Sequence, residues 1–350
     1  MTTAASGTSN PEYVVARVRA RKASLFDDDD YRKLVRMGPA EIARQMEESA
    51  YQEAINALGA RHSGVDLVEY ALNRDLAGQF DDVLDWSEGR LYDLIARYLR
   101  KFDAWNAKTV IRGIYSDVDR ETVEADLIRA GEFPGRLVDR LLDASTIEEV
   151  VGVLDGTIYG GPLADALDDY EASGELVPLE NAVDRAYYEQ LLADLVVDEA
   201  TEVYREFLTA EIDFRNARNA LRLARSGADL DPGAYYIDGG RLFSASELSS
   251  LAGNRDELVA RIRDSIYGDE LDDALDAVEE TDSLIGFERA LEAALQSYAD
   301  RLGFVHPLSV TPVISYILAK EREVDNIRAI ARGREAGLSP ERIESELVVL

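Results

Sequence analysis

One pattern recurs in this 350-residue chain at intervals of 110, and it limits the fold more than any other feature. Asp103-Ala104-Trp105-Asn106, Asp213-Phe214-Arg215-Asn216 and Glu323-Val324-Asp325-Asn326 each place an acid three residues before an asparagine. Arg112, Arg222 and Arg332 each follow that asparagine by six. Of the nine Asn in the chain, only these three have both neighbours. An independent marker repeats at 108: Ala50-Tyr51, Ile158-Tyr159 and Ile266-Tyr267. Glu41-Ile42, Glu149-Val150 and Glu257-Leu258 lie upstream of it, and Ala57-Leu58, Ala166-Leu167 and Ala274-Leu275 lie downstream. The period is longer than that of short solenoid repeats, so the chain reads as three small domains in tandem. A loose tail covers 1–10, and the domains cover 11–118, 119–228 and 229–350. Copies of this size can pack around a pseudo-threefold axis.

Apolar spacing makes these domains helical. Leu91, Leu94, Ile95, Tyr98, Phe102 and Trp105 follow the i, i+3, i+4 rule and predict one long amphipathic helix. Leu192, Leu195, Val196, Val203 and Phe207 predict another, in a stretch from about Leu179 that lacks Pro and Gly until Gly227. Leu302 to Ala319 carries no formal charge and approaches the length of a membrane span. Pro307 and Pro312 instead predict the end of one helix and the start of the next. Tyr235-Tyr236-Ile237, the most strand-like run, sits among turn residues. The expected class is all-α.

Charge and residue usage then remove whole classes of function. Against 38 Lys and Arg stand 69 Asp and Glu, a net charge of −31. The longest basic cluster, Arg17 to Lys22, is too short to offset that field for a nucleic acid. With no Cys and only His62 and His306, thiol chemistry and imidazole-based zinc sites are not expected. Met1 to Asn10 has no secretory pattern and predicts a cytoplasmic chain. Five of the basic residues are Lys and 33 are Arg, and with the high negative charge this balance suggests a halophile. At about 1 M salt the Debye length is roughly 3 Å and self-repulsion is screened, so the fold is expected to loosen in dilute salt.

No phosphate-binding Gly-x-x-x-x-Gly-Lys loop occurs, and Gly156 to Gly161 lacks the spacing of a dinucleotide site. It reads as a turn between helices. Asp27 to Asp30 and Asp229-Leu230-Asp231 do not extend into a calcium loop and read as solvated surface. No catalytic, cofactor or metal residues are expected. The repeated acid and Asn share one helix face, while the Arg is turned away by about 120°. Asn is a poor helix former, so Asn106, Asn216 and Asn326 are expected to hydrogen-bond to a neighbouring helix or to the next copy. Arg112, Arg222 and Arg332, like Tyr51, Tyr159 and Tyr267, are candidates for structural or partner contacts.

The opening Tyr13-Val14-Val15-Ala16-Arg17-Val18-Arg19-Ala20, the three Tyr-bearing units and the helix Asp213 to Arg222 together resemble the C-subunit family of archaeal A-type ATP synthases. The resemblance runs from about residue 11 to 350, and the eukaryotic V-type ATPase has a related d subunit. It implies an all-helical, funnel-like body of three similar domains without an active site or cofactor. It further implies a seat on the membrane proteolipid ring at the cytoplasmic face, and a grip on a central shaft made of the D and F subunits. Torque from proton flow would pass through it to the catalytic A and B subunits. A helical repeat scaffold of another complex is the alternative that triplication alone permits. A carboxylate enzyme using a divalent cation is the third.

Overall fold

The computed structural model describes residues 9–193, 195–196, 198–226, 232–251, 254–269, 271–272, 275–276, 284–344 and 347. Asp229, Asp231 and Ala274 lie outside the described residues. The chain forms two compact units. One comprises Met1–Ala164 with Val313–Val349, and the other Asp165–Pro312. All regular structure among the described residues is helical, with no β-strand.

In the first unit, the helix Gly64–Trp86 buries Val65, Val68, Ala71, Leu72, Leu76, Phe80 and Val83, a helical rhythm that forms one wall of the core. The long helix expected over Leu91 to Trp105 is two helices, Gly89–Leu99 and Lys101–Tyr115, meeting at Arg100. The Arg100 carbonyl accepts the Tyr159 hydroxyl at 3.2 Å and the Asp103 and Ala104 amides, so the second helix begins afresh there. Leu91, Leu94, Ile95, Tyr98 and Phe102 are buried, whereas Trp105 is 41% exposed and donates to the Asp126 carbonyl.

In the second unit, the stretch without Pro or Gly also divides, into Val177–Leu192 and Glu199–Ser226. Ala193 turns extended, and Asp198 and Thr201 exchange hydrogen bonds of the N-cap type that start the second helix. Val196, placed in the helix by its spacing, lies in the connection and is 71% exposed. Near the uncharged segment, one helix spans Leu284–Val305 and the next Thr311–Glu335, with Pro312 in its first turn. Among the described residues, no helix is long and apolar enough to cross a membrane.

Local structure follows the sequence period. Lys101–Tyr115 and Thr311–Glu335 both end at a left-handed residue, Asp117 (φ 53°) and Gly337 (φ 75°). Each is followed by a short helix, Arg120–Ala125 or Pro340–Glu344, docked on a glycine. A Cβ on Gly113 would lie 2.4 Å from Val123, and one on Gly333 would lie 2.9 Å from Ile343. Asp27 caps the helix Asp28–Leu34 within the acidic run. Gly156, at φ 80°, turns the chain between Ile147–Leu154 and Gly160–Ser173.

Candidate functional site

The repeated acid and Asn form a clamp on backbone that lies elsewhere in the chain. On Lys101–Tyr115, the Asn106 amide donates to the Ile128 carbonyl at 2.8 Å and accepts the Ile128 amide at 2.9 Å. One turn earlier, the Asp103 carboxylate accepts the Glu132 and Phe133 amides at 2.9 and 3.0 Å. Two side chains thus hold four backbone groups of a strap that runs from 128 to 133. Both are buried, so these bonds replace water that the strap would otherwise keep. Burial pushes the Asp103 carboxyl up to about 6, against the two backbone amides that favour its charged form.

Glu199–Ser226 repeats this geometry in the second unit. Asn216 donates to the Ile237 carbonyl at 2.8 Å and accepts its amide at 2.9 Å, while one Asp213 oxygen accepts the Arg241 and Leu242 amides at 2.7 and 2.8 Å. Close approach needs glycine in both straps. A Cβ on Gly131 would sit 2.1 Å from the Asp103 carboxylate, and one on Gly240 would sit 2.2 Å from that of Asp213.

The third acid, on Thr311–Glu335, holds the start of the chain. Glu323 accepts the Phe26 amide at 2.5 Å and the Tyr51 hydroxyl at 2.6 Å. Asn326 hydrogen-bonds to the Tyr31 hydroxyl. A glutamate reaches farther than the aspartates of the other copies, and it shares a buried cation with Asp75. Lys320, 1% exposed, lies 2.8 Å from Glu323, 2.8 Å from Asp75 and 2.9 Å from the Tyr51 hydroxyl. Its ammonium also sits 4.0 Å from the Tyr51 ring centre. Burial, then Glu323 and Asp75, raise the Tyr51 pKa well above that of a free phenol.

The tyrosines of the second marker join these clamps. Tyr51 bonds Glu323, burial and then the nearby Asp213 charge raise the Tyr267 pKa, and Tyr159 packs its ring edge-on to Phe133 in the first strap while its hydroxyl meets Arg100. Phe26 meets Tyr51 in a similar edge-on contact. The arginines stand apart. Arg112, Arg222 and Arg332 are exposed; Arg222 pairs with Glu288, and Arg332 with Glu69 and Asp126. His62 stacks near Tyr70, and exposed His306 follows the end of its helix. Among the described residues, no group of three or more His, Asp or Glu could hold a metal ion. Gly131 and Gly240 share the period and mark the straps, a signal that sequence reasoning missed. Lys320 and Asp75 carry no such mark.

A family model for the ATP synthase (C/AC39) subunit matches residues 14–346. The C subunit of the A-type ATP synthase of Haloferax volcanii is 73% identical over 345 residues, 99% of each chain. The protein of that name from Halobacterium salinarum is 62% identical over 350 residues, 99% of each chain. That of Methanococcoides burtonii is 34% identical over 346 residues, covering 98% of this chain and 95% of its own. End-to-end matches of this kind leave no part of the clamp system outside the family relationship, and the chain belongs to the ATP synthase (C/AC39) subunit family.

Proposed function

We propose that this chain is the non-catalytic central-stalk component of an A-type ATP synthase, seated on the membrane proteolipid ring at its cytoplasmic face and gripping a shaft made of the D and F subunits. In this reading its three copies form a funnel. Torque from the proton-driven ring passes through them to the shaft, and from there to the catalytic A and B subunits. The observation that carries the reading is the end-to-end identity of 73% to the C subunit of the Haloferax volcanii A-type ATP synthase.

Physical features support it. A part that passes torque must resist internal yielding, and buried side chains bonded to backbone at two points stiffen the joint between a helix and its strap. A chain with no membrane-length helix among its described residues would reach the ring through protein contacts. Adaptation to molar salt accounts for the net charge of −31. The halophilic reading also fits the relatives from Haloferax and Halobacterium.

The test is affinity capture of the tagged protein from gently solubilised membranes in molar salt, with mass spectrometry of what is retained. Recovery of the ring proteolipid with the D and F subunits is the expected result. Capture of soluble proteins with no synthase component would overturn the proposal.

A further inference from the structure

Two contacts fix how the long helices of the second unit pair. The Tyr298 hydroxyl donates to Glu206 at 2.9 Å, and Arg222 pairs with Glu288. Glu199–Ser226 and Leu284–Val305 therefore run antiparallel, and the start of the first lies beside the end of the second. Glu206 and Tyr298 are each seven residues from that end, about 10 Å of helix, so the two helices stop level with one another. The connection that holds Val196 and the turn over 304–308 thus share one end of the pair. Phe304 is 85% exposed, and Val196, Val305 and Leu308 are each more than half exposed.

The first unit shows what closes a corresponding turn. Its helix Gly64–Trp86 starts 220 residues before Leu284–Val305, twice the period of 110. Past its end, the Asn10 side chain donates to the Trp86 carbonyl at 2.8 Å and accepts the Glu88 amide at 3.0 Å. Arg17 and Arg21 of the helix Pro11–Lys22 lie 4.6 and 4.3 Å from the Trp86 ring centre. The start of the chain itself covers that turn. The turn after Leu284–Val305 has no such cover among the described residues, and it lies in the uncharged stretch 302–319. In a chain of net charge −31, an exposed apolar turn without acids marks a surface kept for contact.

We infer that this end of the second unit, formed by Val196, Phe304, Val305 and Leu308, is the surface that docks on the membrane proteolipid ring, an inference that rests on the proposed function. Salt argues for an apolar contact. At about 1 M salt, ion pairs at an exposed interface are screened beyond roughly 3 Å, whereas apolar burial does not depend on charge. Composition argues for the ring over the shaft. A water-soluble partner in the same salt keeps charged groups on its surface, while a membrane-embedded ring is built of apolar segments. Pressing a carboxylate against such a partner costs its hydration, and the stretch 302–319 has none to lose. Asp198, beside the Val196 connection, is engaged by the Thr201 amide at the start of its own helix.

The test is affinity capture of the full tagged chain from gently solubilised membranes in molar salt, comparing wild type with a variant carrying Phe304→Asp and Leu308→Asp. Both positions are exposed, so the variant is expected to melt as wild type does. At least about tenfold less proteolipid per chain is expected, with the D and F subunits retained. Proteolipid kept at the wild-type level, or D and F lost while it stays, would overturn the inference and leave the proposed function standing. Wild type that retains no synthase component would instead overturn the proposed function, and this inference with it. A photo-cross-linker on Phe304→Cys in membranes decides independently of the double variant. Its expected adduct is the ring proteolipid, and an adduct with another subunit in its place would overturn the inference.

Discussion

The Tyr51 hydroxyl donates to Glu323 at 2.6 Å, joining two side chains 272 positions apart in the chain. Nothing comparable separates the other clamps, where Asn106 and Ile128 are 22 positions apart and Asn216 and Ile237 are 21. Closing so long a loop costs more chain entropy than closing a short one. The third clamp is also the one with a buried cation, Lys320, bridging its acid to Asp75 on another helix.

Glu323→Gln leaves Lys320 buried with Asp75 as its remaining acid. Unfolding by urea in molar salt is expected to show a loss of about 3–5 kcal/mol, the scale for breaking a buried ion pair. Arg332→Ala, which removes exposed pairs to Glu69 and Asp126, is expected to cost under about 1 kcal/mol. Equal losses in the two variants would contradict the clamp.

Asn106→Ala strips partners from both the amide and the carbonyl of Ile128. An unmade buried hydrogen bond costs roughly 1–3 kcal/mol, so a loss of about 2–4 kcal/mol is expected. Hydrogen exchange at the Ile128 amide should accelerate with it. Exposed Arg112 changed to Ala should cost under about 1 kcal/mol, the scale of an exposed pair.

Glycine substitutions separate the straps from ordinary helix positions. Gly131→Ala and Gly240→Ala drive a methyl into the Asp103 and Asp213 carboxylates, with an expected loss of about 1–3 kcal/mol each. Gly78 lies within Gly64–Trp86 with nothing inside 4 Å of its would-be Cβ. There Ala should add about 0.5–1 kcal/mol. Thermal melts of the three variants give the comparison.

The Asp103 carboxyl, raised from 3.8 to about 6, gives the fold a pH dependence of definite sign. Between these values the native state holds a proton that the unfolded chain releases, so this group's contribution is full below about pH 4 and is lost as pH rises through 6. Relative to Asp103→Asn, which does not titrate, wild type should lose roughly 2 kcal/mol from pH 4 to pH 7. An NMR titration of the Asp103 carboxyl with a midpoint below 4 would refute this.

The helical class and the recurrence of the acid and Asn at 110 residues were readable because both are periodic. The position of each acid and Asn on one helix face also followed from spacing, and the hydrogen-bonding need of a helical Asn pointed to contacts beyond its own helix. What Asn106 and Asn216 grip was not readable, because their partner is backbone, which carries no residue identity. The glycines of the straps did carry a sign: Gly131 and Gly240 are 109 apart, close to the clamp period. The break before Glu199–Ser226 was marked as well, by Asp198 and Thr201 at capping distance, which the apolar spacing of Leu192, Leu195 and Val196 masked. Lys320 and Asp75 had no marker, since pairing across so many residues leaves no local pattern.

On the proposed reading the chain turns with the membrane ring, and this is the claim to test most directly. The chain has no Cys, so a single Cys introduced at an exposed position, Phe304 or Val196 first, gives a defined cross-link in membranes. The account predicts that cross-linking this chain to a ring proteolipid leaves ATP-driven turnover near that of the uncross-linked enzyme. Loss of turnover on that cross-link, with recovery when it is cleaved, would mean that the two parts move past each other and would contradict the account.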